Sequence, residues 1–172
     1  MRSRTIRHTK ALTAAVFLFG SVSASTAVAA ENTPSRSQTL TFLVNNNSGK
    51  VLEVYGGGTA NGAGVVQWEY NGANWQYWNV TFGGTLTLIT NHNSGKCLEV
   101  HGGGTANGAG VVQWDCNGQN WQKWRVTPNG DGTYRITNHN SGKCLEVHGG
   151  GTANGAGVVQ WDCNGANWQK WW

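Results

Sequence analysis

Apolar positions in this chain come in short bursts. Thr39–Val44 (TLTFLV) alternates and is rich in β-formers, Val51–Val54 (VLEV) is a compact apolar run, Val65–Trp68 (VVQW) is a third and Trp75–Val80 (WQYWNV) a fourth. Between the second and third lies Gly56–Gly64 (GGGTANGAG), whose glycines carry too much backbone entropy for a helix or a strand interior. The pattern starts again at Leu86 and once more at Tyr134. Nowhere does an apolar period of 3.6 residues persist, so no amphipathic helix is predicted. Short strands at regular intervals, separated by Gly and Asn turns, predict an all-β barrel or sandwich.

The bursts recur because the sequence itself recurs. Asn91–Trp124 returns as Asn138–Trp171 with one change, Gln119 to Ala166, and appears earlier as Asn45–Trp78 with six differences from the last copy. One supersecondary unit is therefore used three times, with units at about 39–83, 84–130 and 131–172, and any site in one unit is expected in all three.

Residues 1–30 read as a secretory signal. Arg2, Arg4, Arg7 and Lys10 precede the apolar Ala11–Gly20, and Ala27–Ala30 supplies small residues for cleavage. That apolar run is too short to span a bilayer, and no other stretch could. Four of the 12 Lys and Arg lie in this leader, so the mature chain carries eight against eight Asp and Glu. A formally neutral chain without a basic cluster lacks the face that nucleic acid requires. Residues 31–38 (ENTPSRSQ) read as a short mobile arm. The repeats fill residues 39–172, leaving no room for a separate catalytic domain.

Cys97 and Cys116 stand 19 residues apart, as do Cys144 and Cys163, while the first unit has Val51 and Tyr70 at the matching positions. Both cysteines of a pair are present or absent together, as a bonded pair would be. In an exported chain they read as two disulfides. Zinc would want closely spaced ligand pairs, which are missing, so no metal and no cofactor is expected.

Each unit ends in Gln-x-Trp: Gln76-Tyr77-Trp78, Gln122-Lys123-Trp124 and Gln169-Lys170-Trp171. With Lys-Cys-Leu-Glu-Val at 96–100 and 143–147, and Gly-Val-Val-Gln-Trp-Asp-Cys at 110–116 and 157–163, residues 39–172 resemble the ricin-type β-trefoil lectins. That resemblance implies a six-stranded barrel capped by three hairpins, with pseudo-threefold symmetry. It also implies that Trp78, Trp124 and Trp171 belong to the barrel core.

A sugar offers a flat C–H face and a rim of hydroxyls, so its recognition takes an aromatic ring and a carboxylate or amide. Each unit carries such a set beside its Gly-rich loop: Glu53, Trp68 and Asn71; Glu99, Trp114 and Asn117; Glu146, Trp161 and Asn164. By resemblance the three Trp hold the family's stacking position, and the three Glu stand where the family usually has Asp. The residue before Gln-x-Trp, often a sugar-binding Asn in the family, is Trp75, Trp121 or Trp168 here. Asn74, Asn120 and Asn167 stand one place earlier and are further candidates for sugar contact. Gln76, Gln122 and Gln169 are candidates too, although buried amides are expected first to satisfy backbone groups. Glu69, Asp115 and Asp162 are expected to be structural, pointing away from the ring by strand alternation.

Other chemistries are weaker. His101-Gly102-Gly103-Gly104 and His148–Gly151 match an esterase oxyanion string, but no G-x-S-x-G elbow accompanies them and Tyr55 replaces the His in the first unit. These histidines, with His92 and His139, read as solvated turn residues. A glycosidase needs two carboxylates facing one bond; Glu99 and Asp115 could be nominated, but the pair recurs threefold. The expectation is a secreted, non-enzymatic protein with up to three equivalent sites for glycans or polysaccharides. A trefoil interaction or inhibitor protein that binds a protein partner is the alternative, because fold does not settle function.

Overall fold

The computed structural model describes residues 37–172. The leader expected at residues 1–30 and residues 31–36 of the expected arm lie outside the described residues. Ser37 and Gln38 are exposed, and the Gln38 amide donates to the Leu88 carbonyl at 3.4 Å.

The first unit contributes β1 (Thr39–Thr41), β2 (Val51–Val54), β3 (Val65–Trp68) and β4 (Trp78–Val80). The second contributes β5 (Leu86–Leu88), β6 (Thr90–Asn91), β7 (Cys97–Val100), β8 (Val111–Trp114) and β9 (Lys123–Pro128). The third contributes β10 (Tyr134–Asn138), β11 (Cys144–Val147), β12 (Val158–Trp161) and β13 (Lys170–Trp171). Three antiparallel hairpins, β2–β3, β7–β8 and β11–β12, form the cap. The remaining strands form the barrel, with β5 and β6 as two halves of one barrel strand: β1 pairs β4, β4 pairs β6, β5 pairs β9, β9 pairs β10 and β10 pairs β13. The ring closes where Val44 N–H donates to the Trp172 carbonyl at 2.7 Å and Trp172 N–H returns a bond to Val44 at 3.0 Å. This is the all-β trefoil that the resemblance implies.

Two segments depart from the strands read in the sequence. Trp75–Val80 is not one strand, because Asn74–Gln76 is a 3-10 turn and β4 begins only at Trp78. The turn forms because Gln76 N–H donates to Ala73 and Tyr77 N–H to Asn74, and because the Gln76 side chain is drawn into the interior. Asn120–Gln122 and Asn167–Gln169 repeat it. Likewise Thr39–Val44 is regular only to Thr41. Leu43 and Val44 are consecutive and both buried, which an alternating strand cannot accommodate.

Trp78, Trp124 and Trp171 are fully buried in the core. Each indole N–H finds a carbonyl: Leu52 at 3.0 Å, Leu98 at 2.8 Å and Leu145 at 3.1 Å. An apolar ring thus enters the core without stranding its polar atom. Leu43, Ile89 and Ile136 from the barrel, and Leu52, Leu98 and Leu145 from the hairpins, pack in the same cluster.

Each unit is locked to the next by its Gly-rich loop. Gln113 donates to Gly58 and Ala60 of unit 1, Gln160 to Gly104 and Ala106 of unit 2, and Gln67 to Gly151 and Ala153 of unit 3. Asn61 and Asn107 bond the carboxylates and backbone N–H groups of Asp115 and Asp162, and Asn154 accepts from Glu69 N–H. Those acids also pair with Lys50, Lys96 and Lys143 inside their own units. Their expected structural role is what they perform. Cys97–Cys116 and Cys144–Cys163 are disulfides, each with Cα atoms 5.1 Å apart, and each closure contributes on the order of 3 kcal/mol. In unit 1 the matching Tyr70 instead packs on Phe42 and shares a 2.5 Å hydroxyl contact with Tyr77.

Candidate functional site

Hairpin register builds one cleft per unit. In β2–β3, Glu53 stands opposite Val66 and Val51 opposite Trp68, so Glu53 and Trp68 rise from the same face. Leu52 and Val54 point the other way, into the core. The identical register recurs in β7–β8 and β11–β12. The resulting clefts are lined by Glu53, Tyr55, Gly56, Trp68, Asn71 and Trp75; by Glu99, His101, Gly102, Trp114, Asn117 and Trp121; and by Glu146, His148, Gly149, Trp161, Asn164 and Trp168. All nine principal residues singled out in the sequence therefore meet, three to a cleft. The open volumes, about 350, 200 and 210 Å³, lie at or below the small end of ligand sites and suit one ring at a time.

The carboxylates form the floors. Glu53, Glu99 and Glu146 are each 3% exposed. Their Oε2 atoms accept from the amides of Gln76, Gln122 and Gln169 at 2.8, 2.8 and 2.7 Å. Those same amides donate to the carbonyls of Glu69, Asp115 and Asp162, and accept from the backbone N–H of Asn71, Asn117 and Asn164. Gln76, Gln122 and Gln169 are buried, with both ends of the amide committed, and they do not line the clefts; they hold the carboxylate that does. Burial pushes the Glu53 carboxyl above its ordinary value of 4.5, opposed by the Gln76 hydrogen bond and by one from the Trp75 side chain.

Asn71, Asn117 and Asn164 stand on the rims. Each Oδ1 accepts from the backbone N–H two residues on (3.0, 3.0 and 2.9 Å), an Asx turn that fixes the side chain and leaves Nδ2 without a protein partner among the described residues. Asn74, Asn120 and Asn167 do not line the clefts. They open the 3-10 turns and are exposed, and Asn120 and Asn167 accept from Lys123 and Asn46. The one-place shift of Asn relative to the family pattern thus removes it from the site.

Two ring positions complete the walls. Trp75, Trp121 and Trp168 both pack and line: each lies so close over a glycine that a Cβ built on Gly57, Gly103 or Gly150 would stand 2.7–2.8 Å from the indole. Those glycines also need their positive φ of 70–71°. Opposite, Tyr55, His101 and His148 approach Trp68, Trp114 and Trp161 with ring centroids 6.1, 6.2 and 6.0 Å apart. In the sequence these positions read as turn residues. The signal available was that all three units carry an aromatic side chain there, directly after the strand that bears the Glu. Behind these three indoles stands the neighbouring unit: Gly155 lies against Trp68, Gly62 against Trp114 and Gly108 against Trp161.

Each cleft therefore offers ring faces, one buried acceptor and one free amide donor, which suits a ring bearing C–H groups on one side and hydroxyls at its edge.

Comparison with known proteins agrees with this architecture. The ricin-type beta-trefoil lectin domain-like family model matches residues 33–114, 74–161 and 120–172. The designed threefold-symmetric protein ThreeFoil is 37% identical, with TM-score 0.74, over 77% of this chain and 95% of its own. The exo-β-1,3-galactanase 1,3Gal43A from Clostridium thermocellum is also 37% identical, with TM-score 0.72, over 80% of this chain but only 30% of the enzyme. The Macrolepiota procera ricin B-like lectin, solved with lactose, shares the fold at 19% identity and TM-score 0.64, over 78% of this chain and 94% of the lectin. No curated protein matches the chain. With the family model spanning all three repeats, this chain belongs to the ricin-type β-trefoil lectin domain-like family.

Proposed function

We propose that the chain is a secreted, non-enzymatic carbohydrate-binding protein whose three clefts each take one sugar ring. The observation that carries the reading is the threefold recurrence of ring wall, buried carboxylate and rim amide in one geometry. Trp68, Trp114 and Trp161 stack on the C–H face; Glu53, Glu99 and Glu146 accept from a pair of hydroxyls; Asn71, Asn117 and Asn164 donate at the rim. Each cleft lining holds one carboxylate, whereas glycoside hydrolysis uses a facing pair. Two disulfides and the leader-like residues 1–30 support export to an oxidising compartment.

A shallow single-ring site binds weakly. Three on one rigid body engage a repeating glycan with avidity about 10²–10⁴ above one site where spacing permits. The galactanase and the lactose-bound lectin make galactose-containing polymers the first probes. Affinity electrophoresis through galactan, xylan and chitin gels should retard the wild type, retard Trp114→Ala less, and leave the Trp68→Ala/Trp114→Ala/Trp161→Ala protein unretarded while its circular dichroism is unchanged. Equal retardation of the triple variant would refute the site. A protein partner with no glycan hit would favour the interaction reading.

A further inference from the structure

The sequence has no basic run, yet the fold builds a basic face. Seven Lys and Arg fall within residues 37–172. Lys50, Lys96 and Lys143 are spent on Glu69, Asp115 and Asp162. The other four, Lys123, Arg125, Arg135 and Lys170, all lie on the adjacent strands β9, β10 and β13. Pairing register brings them together: Arg135 stands directly opposite Lys170, and Arg125 opposite Thr137, two residues along the same face from Arg135. The expectation that the chain lacks a basic cluster is thus corrected by residues distant in sequence.

Like charges directly opposite on a sheet are destabilising. Lys170 is relieved by Asp131 at 2.9 Å, whereas Arg135 is exposed and has no ion-pair partner among the described residues. Between the two cations lies a notch of about 90 Å³ lined by Asn129, Arg135, Cys163, Gly165, Gln169 and Lys170. Its wall is the 163–170 segment, which also contributes Asn164 and Trp168 to the third cleft. A ligand leaving that cleft past Asn164 and Gly165 therefore meets the notch.

The three units differ here, although their clefts scarcely do. Where unit 3 has Arg135, Cys163 and Lys170, unit 2 has Leu88, Cys116 and Lys123, and unit 1 has Phe42, Tyr70 and Tyr77. We propose that the Arg135–Lys170 notch, extended by Arg125 and Lys123, is a subsite for the carboxylate groups of a uronic-acid polysaccharide whose neighbouring ring occupies the third cleft. The guanidinium presents a planar fork that matches a carboxylate, and Lys170 adds a point charge. The subsite rests on the carbohydrate reading of the clefts.

Polygalacturonate and its carboxyl-reduced form, a neutral polymer of the same backbone, isolate the charge. At 50 mM salt the wild type should be retained roughly tenfold more strongly by the carboxylated polymer, as one or two charge-assisted hydrogen bonds provide, and the difference should collapse at high salt. Arg135→Gln/Lys170→Gln should abolish the difference and keep retention on the reduced polymer; Arg135→Gln alone, which strands no partner, should lower it by itself. Equal retention of both polymers by the wild type, retention of neither, or a preference that survives in the double variant overturns the subsite. Competition by duplex DNA at equal charge would make the face a nucleic-acid surface and overturn it too. If the Trp68→Ala/Trp114→Ala/Trp161→Ala protein keeps the full charged-polymer preference, the polymer is held without the clefts, which overturns the cleft reading and the subsite that rests on it; equal retention of both polymers by the wild type overturns the subsite alone.

Discussion

Under the proposed function the Glu53 carboxylate meets two opposed demands, because it accepts best from a sugar hydroxyl when charged, yet it is almost entirely removed from water. Burial raises its titration point above 4.5, so its charge is a cost to the fold. That cost is absent below pH 4.5, where folded and unfolded chains both carry the proton, and it develops as pH rises through the folded value. Ligand acceptance runs the other way and is lost on acidification. In a Trp114→Ala/Trp161→Ala background, which isolates the first cleft, galactan retention should therefore fade with a midpoint above pH 4.5. Adding Gln76→Met should move that midpoint upward and destabilise the protein by about 3 kcal/mol in urea, since a buried carboxylate, an N–H and a carbonyl lose their partner together. A midpoint at or below 4.5 in the parent would contradict this account. Glu53, Trp68 and Asn71 were legible in the sequence because their types state their chemistry and recur in every unit. Tyr55, His101 and His148 were not, because a ring beside glycines reads as a turn until its partner ring, 13 residues away in sequence, is placed beside it.

Among the elements, the glycine turn after each Glu-bearing strand does more than reverse the chain. Gly102 has φ +60° but open space where a Cβ would go, whereas Gly103, at φ +71°, has the Trp121 ring 2.8 Å away. Gly102→Ala should cost only the left-handed backbone penalty, about 1–2 kcal/mol, and leave the Trp121 wall of the second cleft in place. Gly103→Ala should cost more and push Trp121 aside, weakening sugar binding in that cleft. Urea melts and galactan retention in a Trp68→Ala/Trp161→Ala background would separate the two, and equal effects on binding would show that the wall does not matter. The glycine run was readable as non-helical, but its closeness to Trp121 was not, because 18 residues separate them. The 3-10 turn at Asn74–Gln76 escaped for a related reason. Trp75–Val80 has strand composition, and the pull of a buried Gln overrides it.

Across the whole molecule, three near-identical copies made the threefold symmetry the most legible feature of the sequence, and the Gln-x-Trp resemblance supplied the trefoil. Less legible was which unit supports which. Gly155 of the third unit lies behind Trp68 of the first, as Gly62 lies behind Trp114 and Gly108 behind Trp161, so every cleft borrows its backing from a neighbour. The basic face is also a property of this scale, since only barrel register sets Arg135 beside Lys170. The ring seals where Val44 and Trp172 exchange two backbone hydrogen bonds. A closed circuit of this kind has no preferred beginning. A circularly permuted polypeptide, with residue 172 joined through a short Gly-Ser linker to residue 37 and the chain opened between Gly84 and Thr85, should adopt the same barrel, melt within a few degrees of the parent and retain galactan equally. The order in which the thirds are synthesised would then be incidental to what the finished molecule can hold.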